Sequence, residues 1–151
     1  QLSFPSGQDL IVSCSALQWF VSPELFFKRC NALLSGHGYF AFSTFGKENL
    51  KEIAAVTGSG LHYYSLEELK KSLSMHYNIV TAGEERIRLT FATPLDVLYH
   101  LKHTGVTAVC RQAWTKGDLQ EFCDKYAKLF SCGNAVTLTY HPLYIIARKK
   151  P

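Results

Sequence analysis

The residues best placed to do chemistry lie in one stretch, Gln8 to Phe20. An apolar run, Leu10-Ile11-Val12, stops in Ser13, Cys14 and Ser15, and Gln18-Trp19 follows shortly after. A strand that ends in small residues leaves its last backbone groups open. In open α/β sheets, ligands sit in the crevice outside the carboxyl ends of the strands. Ser13 and Ser15 can bond a ligand there through hydroxyl or backbone, or can serve only the turn that leaves the strand. Gln18 and Trp19 can line the same crevice, and Trp19 can equally anchor the helix that follows. Cys14 has no paired base evident in the sequence, so it reads as a small buried thiol rather than a nucleophile.

A second set is cationic. Arg86 and Arg88 alternate with Ile87 and Leu89, the period of a half-exposed strand, and so share one face. Such a pair can meet a carboxylate through charge-assisted hydrogen bonds, or can stand as a solvated face. Lys102, His103 and Arg111 lie further along. His100 and His103 are three apart on one predicted helix, but no third ligand has supporting spacing, so no metal is expected. Tyr63-Tyr64 precede a helix cap and can close over a ligand or form a hydrophobic staple.

Composition sets the bounds on these candidates. The 151 residues fit one domain with a sizeable core, at 47% apolar and 19% charged content. No apolar run approaches the roughly 18–20 residues that span a bilayer. The chain begins at Gln1 with no signal-peptide pattern, as a trimmed or partial chain would. A net charge of +4 suits an acidic protein or carboxylate partner. The run Arg148-Lys149-Lys150 reads as solvated surface, and no nucleic-acid partner is expected. Five cysteines, an odd count without C-x-x-C spacing, read as reduced thiols in the cytoplasm.

The elements that must position these groups follow from period and punctuation. Leu10–Ser13 predicts a buried parallel strand. Ser22-Pro23 predicts a capped helix over 23–34, closed by Ser35-Gly36-His37-Gly38. Tyr39–Phe45 predicts a second strand, parallel to the first across a βαβ crossover. Lys47–Val56 predicts a short helix, and Ser65 with Glu68 a capping box over a helix with Leu66, Leu69 and Leu73 inside. Tyr77–Ala82 and Glu84–Phe91 predict extended segments. Helices are predicted over 94–104 and from Thr115 onward, the second with Leu119, Phe122, Cys123, Tyr126 and Leu129 facing inward. Val136–Ala147 predicts one long edge or penultimate strand, with a bulge at Pro142. The order is that of an α/β sheet of about four strands. No G-x-G-x-x-G follows a strand.

Four segments carry a family resemblance. Asp9-Leu10-Ile11-Val12-Ser13 followed by Ala16-Leu17-Gln18-Trp19 resembles the fourth-strand motif of class I S-adenosylmethionine-dependent methyltransferases. Within them, Ala-Leu-Gln-Trp resembles the malonyl-acyl-carrier-protein O-methyltransferases of biotin synthesis. The segment from Leu34 to Phe45 resembles their fifth strand and its Leu-x-Pro-Gly-Gly lead-in. His100-Leu101-Lys102-His103-Thr104-Gly105 and Leu138-Thr139-Tyr140-His141 are similar to the family's later helix end and last strand. There are departures: Cys14 stands where the family usually has Asn, and Gly36-His37-Gly38 replaces Pro-Gly-Gly. The glycine-rich loop and the acidic residue that hold the cofactor's methionine part and ribose are not in this chain.

The resemblance implies a seven-stranded Rossmann-like α/β sheet with helices on both faces and an antiparallel last strand. This chain would be its C-terminal half, strands four to seven, as a single partial domain with a helical lid insertion over 93–132. It implies S-adenosylmethionine as methyl donor, bound by Ser13, Cys14 and Ser15. It implies a malonyl carboxylate on acyl carrier protein as acceptor, met by Gln18, Trp19, Arg86, Arg88, Lys102 and Arg111. That carboxylate is ionised at neutral pH, so no catalytic base is needed. A cytoplasmic monomer without nucleic-acid or membrane partners is expected. The alternatives are another class I methyltransferase acting on a small molecule, or a non-catalytic fragment lacking the main cofactor loop.

Overall fold

The computed structural model describes residues 4–106 and 114–151. In chain order the elements are β1 (Gln8–Cys14), a 3-10 turn (Leu17–Trp19), α1 (Pro23–Leu33), β2 (Leu34–Phe45), α2 (Lys51–Thr57), α3 (Leu66–Leu73), β3 (Tyr77–Glu84), β4 (Ile87–Phe91), α4 (Pro94–His103), α5 (Lys116–Phe130), β5 (Ser131–Cys132), β6 (Ala135–Tyr140) and β7 (Pro142–Lys149). They fall into two compact units, one of Gln1–Lys47, His62–Glu85 and His141–Pro151, the other of Glu48–Leu61 and Arg86–Tyr140. Among the described residues no helix is long and apolar enough to cross a membrane.

The first unit is built on a four-stranded sheet in the order β1-β2-β7-β3. β1 and β2 are parallel, as predicted, and β7 runs antiparallel to both of its neighbours. The alternation of β2 and β7 puts Phe40, Phe42, Leu143, Ile145 and Ala147 on one face. On that face they pack with Phe27 and Cys30 of α1 and with Leu69 and Leu73 of α3. Ser22 caps α1, accepting from the Leu25 amide at 3.3 Å, with Pro23 in the first turn. Ser65 and Glu68 form the expected capping box on α3. Tyr77 is buried, and its hydroxyl donates to the Phe27 carbonyl at 2.9 Å. The opposite face exposes Leu10, Val12, Tyr39, Tyr144 and Ile146.

Four expectations for this unit change. β1 is an edge strand rather than a buried one, because among the described residues only β2 pairs with it; Leu10 and Val12 are 56% and 59% exposed. β2 begins at Leu34, five residues early, because Ser35 to Gly38 continue the pairing through an irregular register between Gln8 and Leu10. The predicted long strand 136–147 divides at His141. Its first part, β6, is buried on both faces at 136–139, whereas its second, β7, alternates from Pro142. Pro142 therefore opens a strand instead of bulging one, a position where its missing N–H costs no ladder bond.

The basic run also proves structural. Lys149 Nζ donates to the Asn31 and Leu34 carbonyls, both at 2.8 Å, and Lys150 Nζ to the Ser74 carbonyl at 2.6 Å. These are the orphan acceptors at the C-terminal ends of α1 and α3, where a cation also meets the negative end of the helix dipole. Arg148 bonds His37 Nδ1 at 3.1 Å and lies 5.8 Å from the Tyr39 ring centroid.

The second unit has a three-stranded antiparallel sheet, β4-β6-β5, with α2, α4 and α5. Its core joins Leu50, Ile53, Val97, Leu101, Phe122, Tyr126, Val136 and Leu138. Thr93 with Asp96 and Thr115 with Asp118 close capping boxes on α4 and α5. Glu52, 2% exposed, accepts from the Thr139 amide at 3.0 Å and its hydroxyl at 2.5 Å. The α2 helix begins at Lys51, shorter than the predicted 47–56 at its start. Leu129 is 57% exposed, since the inner face of α5 runs through Phe122, Tyr126 and Phe130 instead.

Candidate functional site at the carboxyl edge of the first sheet

The strand directions bring the ends of β1, β2 and β3 to one edge of the first sheet, beside the start of β7. β1 ends at Cys14, and the chain leaves the sheet through Ser15, whose φ is +49°. A non-glycine residue in the left-handed region is uncommon and is held there by its surroundings. Here the Ser15 amide donates to the Ser43 carbonyl at 3.0 Å, and the Gln18 side-chain amide donates to the Ser15 carbonyl at 2.6 Å. The Gln18 oxygen in turn accepts from the buried Thr44 hydroxyl at 3.1 Å.

Leu17 is buried and pins the 3-10 turn to the core. Beyond it the surface becomes apolar. Trp19 is 62% exposed, which removes the reading of it as a core anchor. Phe20 stacks on Phe26 with ring centroids 4.3 Å apart, so Phe20 and not Trp19 fastens this segment to α1. Cys14 is exposed, contrary to the expected buried thiol, because it stands at the end of an edge strand. Ser13 is half-buried and borders an open groove of about 1020 Å³, lined also by Leu10, Val12, Phe20, Phe26 and Arg29.

Further along the edge lies a tight cleft bordered by Gln18, Thr44, Phe45, His62, Tyr63 and Tyr64. The His62 and Tyr64 rings meet edge to face at 4.8 Å, and Tyr64 is half-buried against the core. His141 was not singled out from sequence. It is buried at 3% exposure, its Nε2 lies 3.1 Å from Glu84 Oε2, and its ring occupies the space a side chain on Gly46 would need. No sequence signal marks it, because only the fold brings Gly46, Glu84 and His141 together.

The structure thus gathers Ser13, Cys14, Ser15, Gln18 and Trp19 at one strand end. Arg86, Arg88 and Lys102 belong to the other unit. Arg86 lies just before β4, exposed and paired with Glu48. The Arg86 hydrogen bond, with help from Lys51, pulls the Glu48 carboxyl down to about 2. Arg88 is exposed in mid-β4, in register with Thr139, and Lys102 is exposed on α4. Arg111 lies outside the described residues. His100 bonds the Tyr140 hydroxyl at 3.0 Å and packs 5.1 Å from the Phe91 ring, a structural role within this unit.

No family model matches the chain. Curated relatives do. A malonyl-[acyl-carrier protein] O-methyltransferase of Bacteroides thetaiotaomicron is 56% identical over 99% of this chain and 61% of its own length. One from Bacteroides helcogenes is 55% identical over 97% of this chain and 54% of its own length, and one from Haemophilus influenzae is 43% identical over 93% and 54%. The chain therefore spans a little over half the length of these relatives. In fold, it matches a candidate methyltransferase of Bacillus halodurans at TM-score 0.64 and 14% identity, covering 100% of this chain and 68% of that one. It matches the YcgJ protein of Bacillus subtilis at TM-score 0.58 and 12% identity, again over 100% and 68%. β1 and β2 are parallel and the last strand, β7, is antiparallel to its neighbours, as the family resemblance implies. In fold the chain is therefore like these two solved structures, and in sequence it is similar, over a little over half of their length, to the malonyl-[acyl-carrier protein] O-methyltransferases.

Proposed function

We propose that the chain is the acceptor-side part of an S-adenosylmethionine-dependent carboxyl O-methyltransferase whose substrate is malonyl carried on acyl carrier protein. The observation that supports this most is the four-strand order closing on the Ser13–Ser15 turn, in a chain 56% identical to a relative of that name. The turn fits one wall of a cofactor site. It is polar, lies at the carboxyl edge, and is held in a left-handed conformation at Ser15. In this reading Ser13, Cys14 and Ser15 contact the cofactor, which supplies an electrophilic methyl group when bound.

The malonyl carboxylate is already ionised, so the chain's task is to hold and orient it rather than to deprotonate it. Gln18 and Trp19 stand at the transfer edge, with the exposed indole offering a flat apolar face to the acyl part. Residues 93–132 act as a lid within a single partial domain. Arg86, Arg88, Lys102 and Arg111 meet the acidic carrier. The enzyme works as a cytoplasmic monomer without nucleic acid or membrane.

Methyl transfer to malonyl carrier protein, compared with free small dicarboxylic acids, tests the substrate: equal use of both refutes the carrier reading. Charge reversal at Arg88 and Lys102 is expected to raise KM for the carrier-bound acceptor about tenfold; an unchanged value refutes that docking surface. Calorimetry of the 151-residue chain with S-adenosylmethionine is expected to show only weak binding. Micromolar affinity would show that the Ser13–Ser15 wall suffices by itself.

A further inference from the structure

Gln18 is engaged on both ends of its amide by this chain. Its Nε2 donates to the Ser15 carbonyl at 2.6 Å and its Oε1 accepts from Thr44 Oγ1 at 3.1 Å. Thr44 is 4% exposed at the end of β2, so its hydroxyl is fixed by the core and not by a ligand. The Ser15 carbonyl can only accept, so the NH2 has to point at it, and the Thr44 hydroxyl, donating to the amide oxygen, holds the side chain in that orientation. Ser15 needs that support. Its left-handed backbone is disfavoured by roughly 1–2 kcal/mol for a residue with a Cβ. Two bonds hold it, Ser15 N–H to Ser43 O at 3.0 Å and the one from Gln18.

We propose that Gln18 is a positioning residue for the cofactor-facing turn, with Thr44 as the group that orients it, and that it acts through Ser15 rather than on the acceptor. This rests on the methyltransferase reading for its consequence, but not for its geometry. The chain Thr44, Gln18, Ser15 links the end of β2 to the end of β1, and so sets how the exposed Ser13–Ser15 face meets a ligand.

The test has two parts. In the 151-residue chain, amide exchange at Ser15 is measured in Gln18→Leu, Thr44→Val and Thr44→Ser. Losing one such bond is expected to speed exchange roughly fivefold to tenfold in the first two variants. Thr44→Ser, which keeps the donor, is expected to match the parent. The Leu143 and Ile145 amides serve as the control that the sheet remains folded. In the complete methyltransferase that the function implies, Gln18→Leu and Thr44→Val are each expected to raise KM for the methyl donor severalfold, with KM for the acceptor unchanged. The double variant is expected to be no worse than either single one, as for members of one network.

A silent Thr44→Val, or a Gln18→Leu that raises only the acceptor's KM with Ser15 exchange unchanged, overturns the proposal and makes Gln18 a substrate ligand. If the complete protein transfers no methyl group, the function falls while the exchange result still decides the geometry.

Discussion

Replacing Lys149 by Met tests how the end of the chain holds the first unit together. The substitution keeps most of the aliphatic stem and removes the ammonium. Two hydrogen bonds of 2.8 Å disappear, to the carbonyls of Asn31 and Leu34 at the end of α1. Hydrogen bonds to a charged group contribute about 1.5–3 kcal/mol each when shielded, and a cation at a helix C-terminus about 0.3–1 kcal/mol more. Lys149 is half-buried, so water can reach part of the vacated site and the loss shrinks to about 2 kcal/mol. With a urea m-value of about 2 kcal/mol/M, the unfolding midpoint should fall by about 1 M at unchanged slope. Lys150→Met is the internal comparison. It loses one bond, of 2.6 Å to Ser74, from an exposed side chain, and should cost about 0.5 kcal/mol. Equal and small shifts for the two variants would mean that the run is solvated surface after all.

Gly46→Ala is expected to cost about 1–3 kcal/mol in the same assay, because its Cβ would lie 2.5 Å from the buried His141 ring; a neutral effect would mean that the ring moves freely. For Glu48, the folded carboxyl titrates near 2 against an ordinary 4.5, chiefly through its bond to Arg86. Its ion pairs are therefore fully present above about pH 4.5 and are lost as pH falls through about 2. Carboxyl NMR titration should place the midpoint near 2 in the parent and higher in Arg86→Met; a parent midpoint at 4.5 refutes the pairing.

Local signals carried most of the secondary structure. Ser22-Pro23, Ser65 with Glu68, Thr93 with Asp96 and Thr115 with Asp118 each open a helix where their spacing predicts one. The motif Leu10 to Trp19 carried the resemblance, and with it the antiparallel last strand that periodicity alone does not specify. What local signals missed was what each strand pairs with. An apolar run such as Leu10-Ile11-Val12 looks the same whether neighbours flank it on two sides or one, and here only β2 pairs with it among the described residues. Val136 to Ala147 alternates well enough to pass for one strand, yet its halves join different sheets. The three cations at 148–150 look like a solvated tail until β7 is known to run past the ends of α1 and α3.

The site divides along the same line. Types and spacing put Ser13, Cys14, Ser15, Gln18 and Trp19 at one strand end, because the motif is contiguous and a strand end is local. They did not assign roles, because roles depend on partners far away in sequence. Gln18 meets Thr44 across 26 residues and His141 meets Glu84 across 57. Ser15 adds a conformational reason: serine has no strong preference for the left-handed region, so nothing in its identity announces a φ of +49°. Only the convergence of Ser43, Gln18 and Thr44 explains why the turn is stable there. A side chain read as a ligand contact on motif grounds can thus be the brace behind one, and the Thr44→Val variant separates the two because Thr44 reaches Gln18 from the buried side.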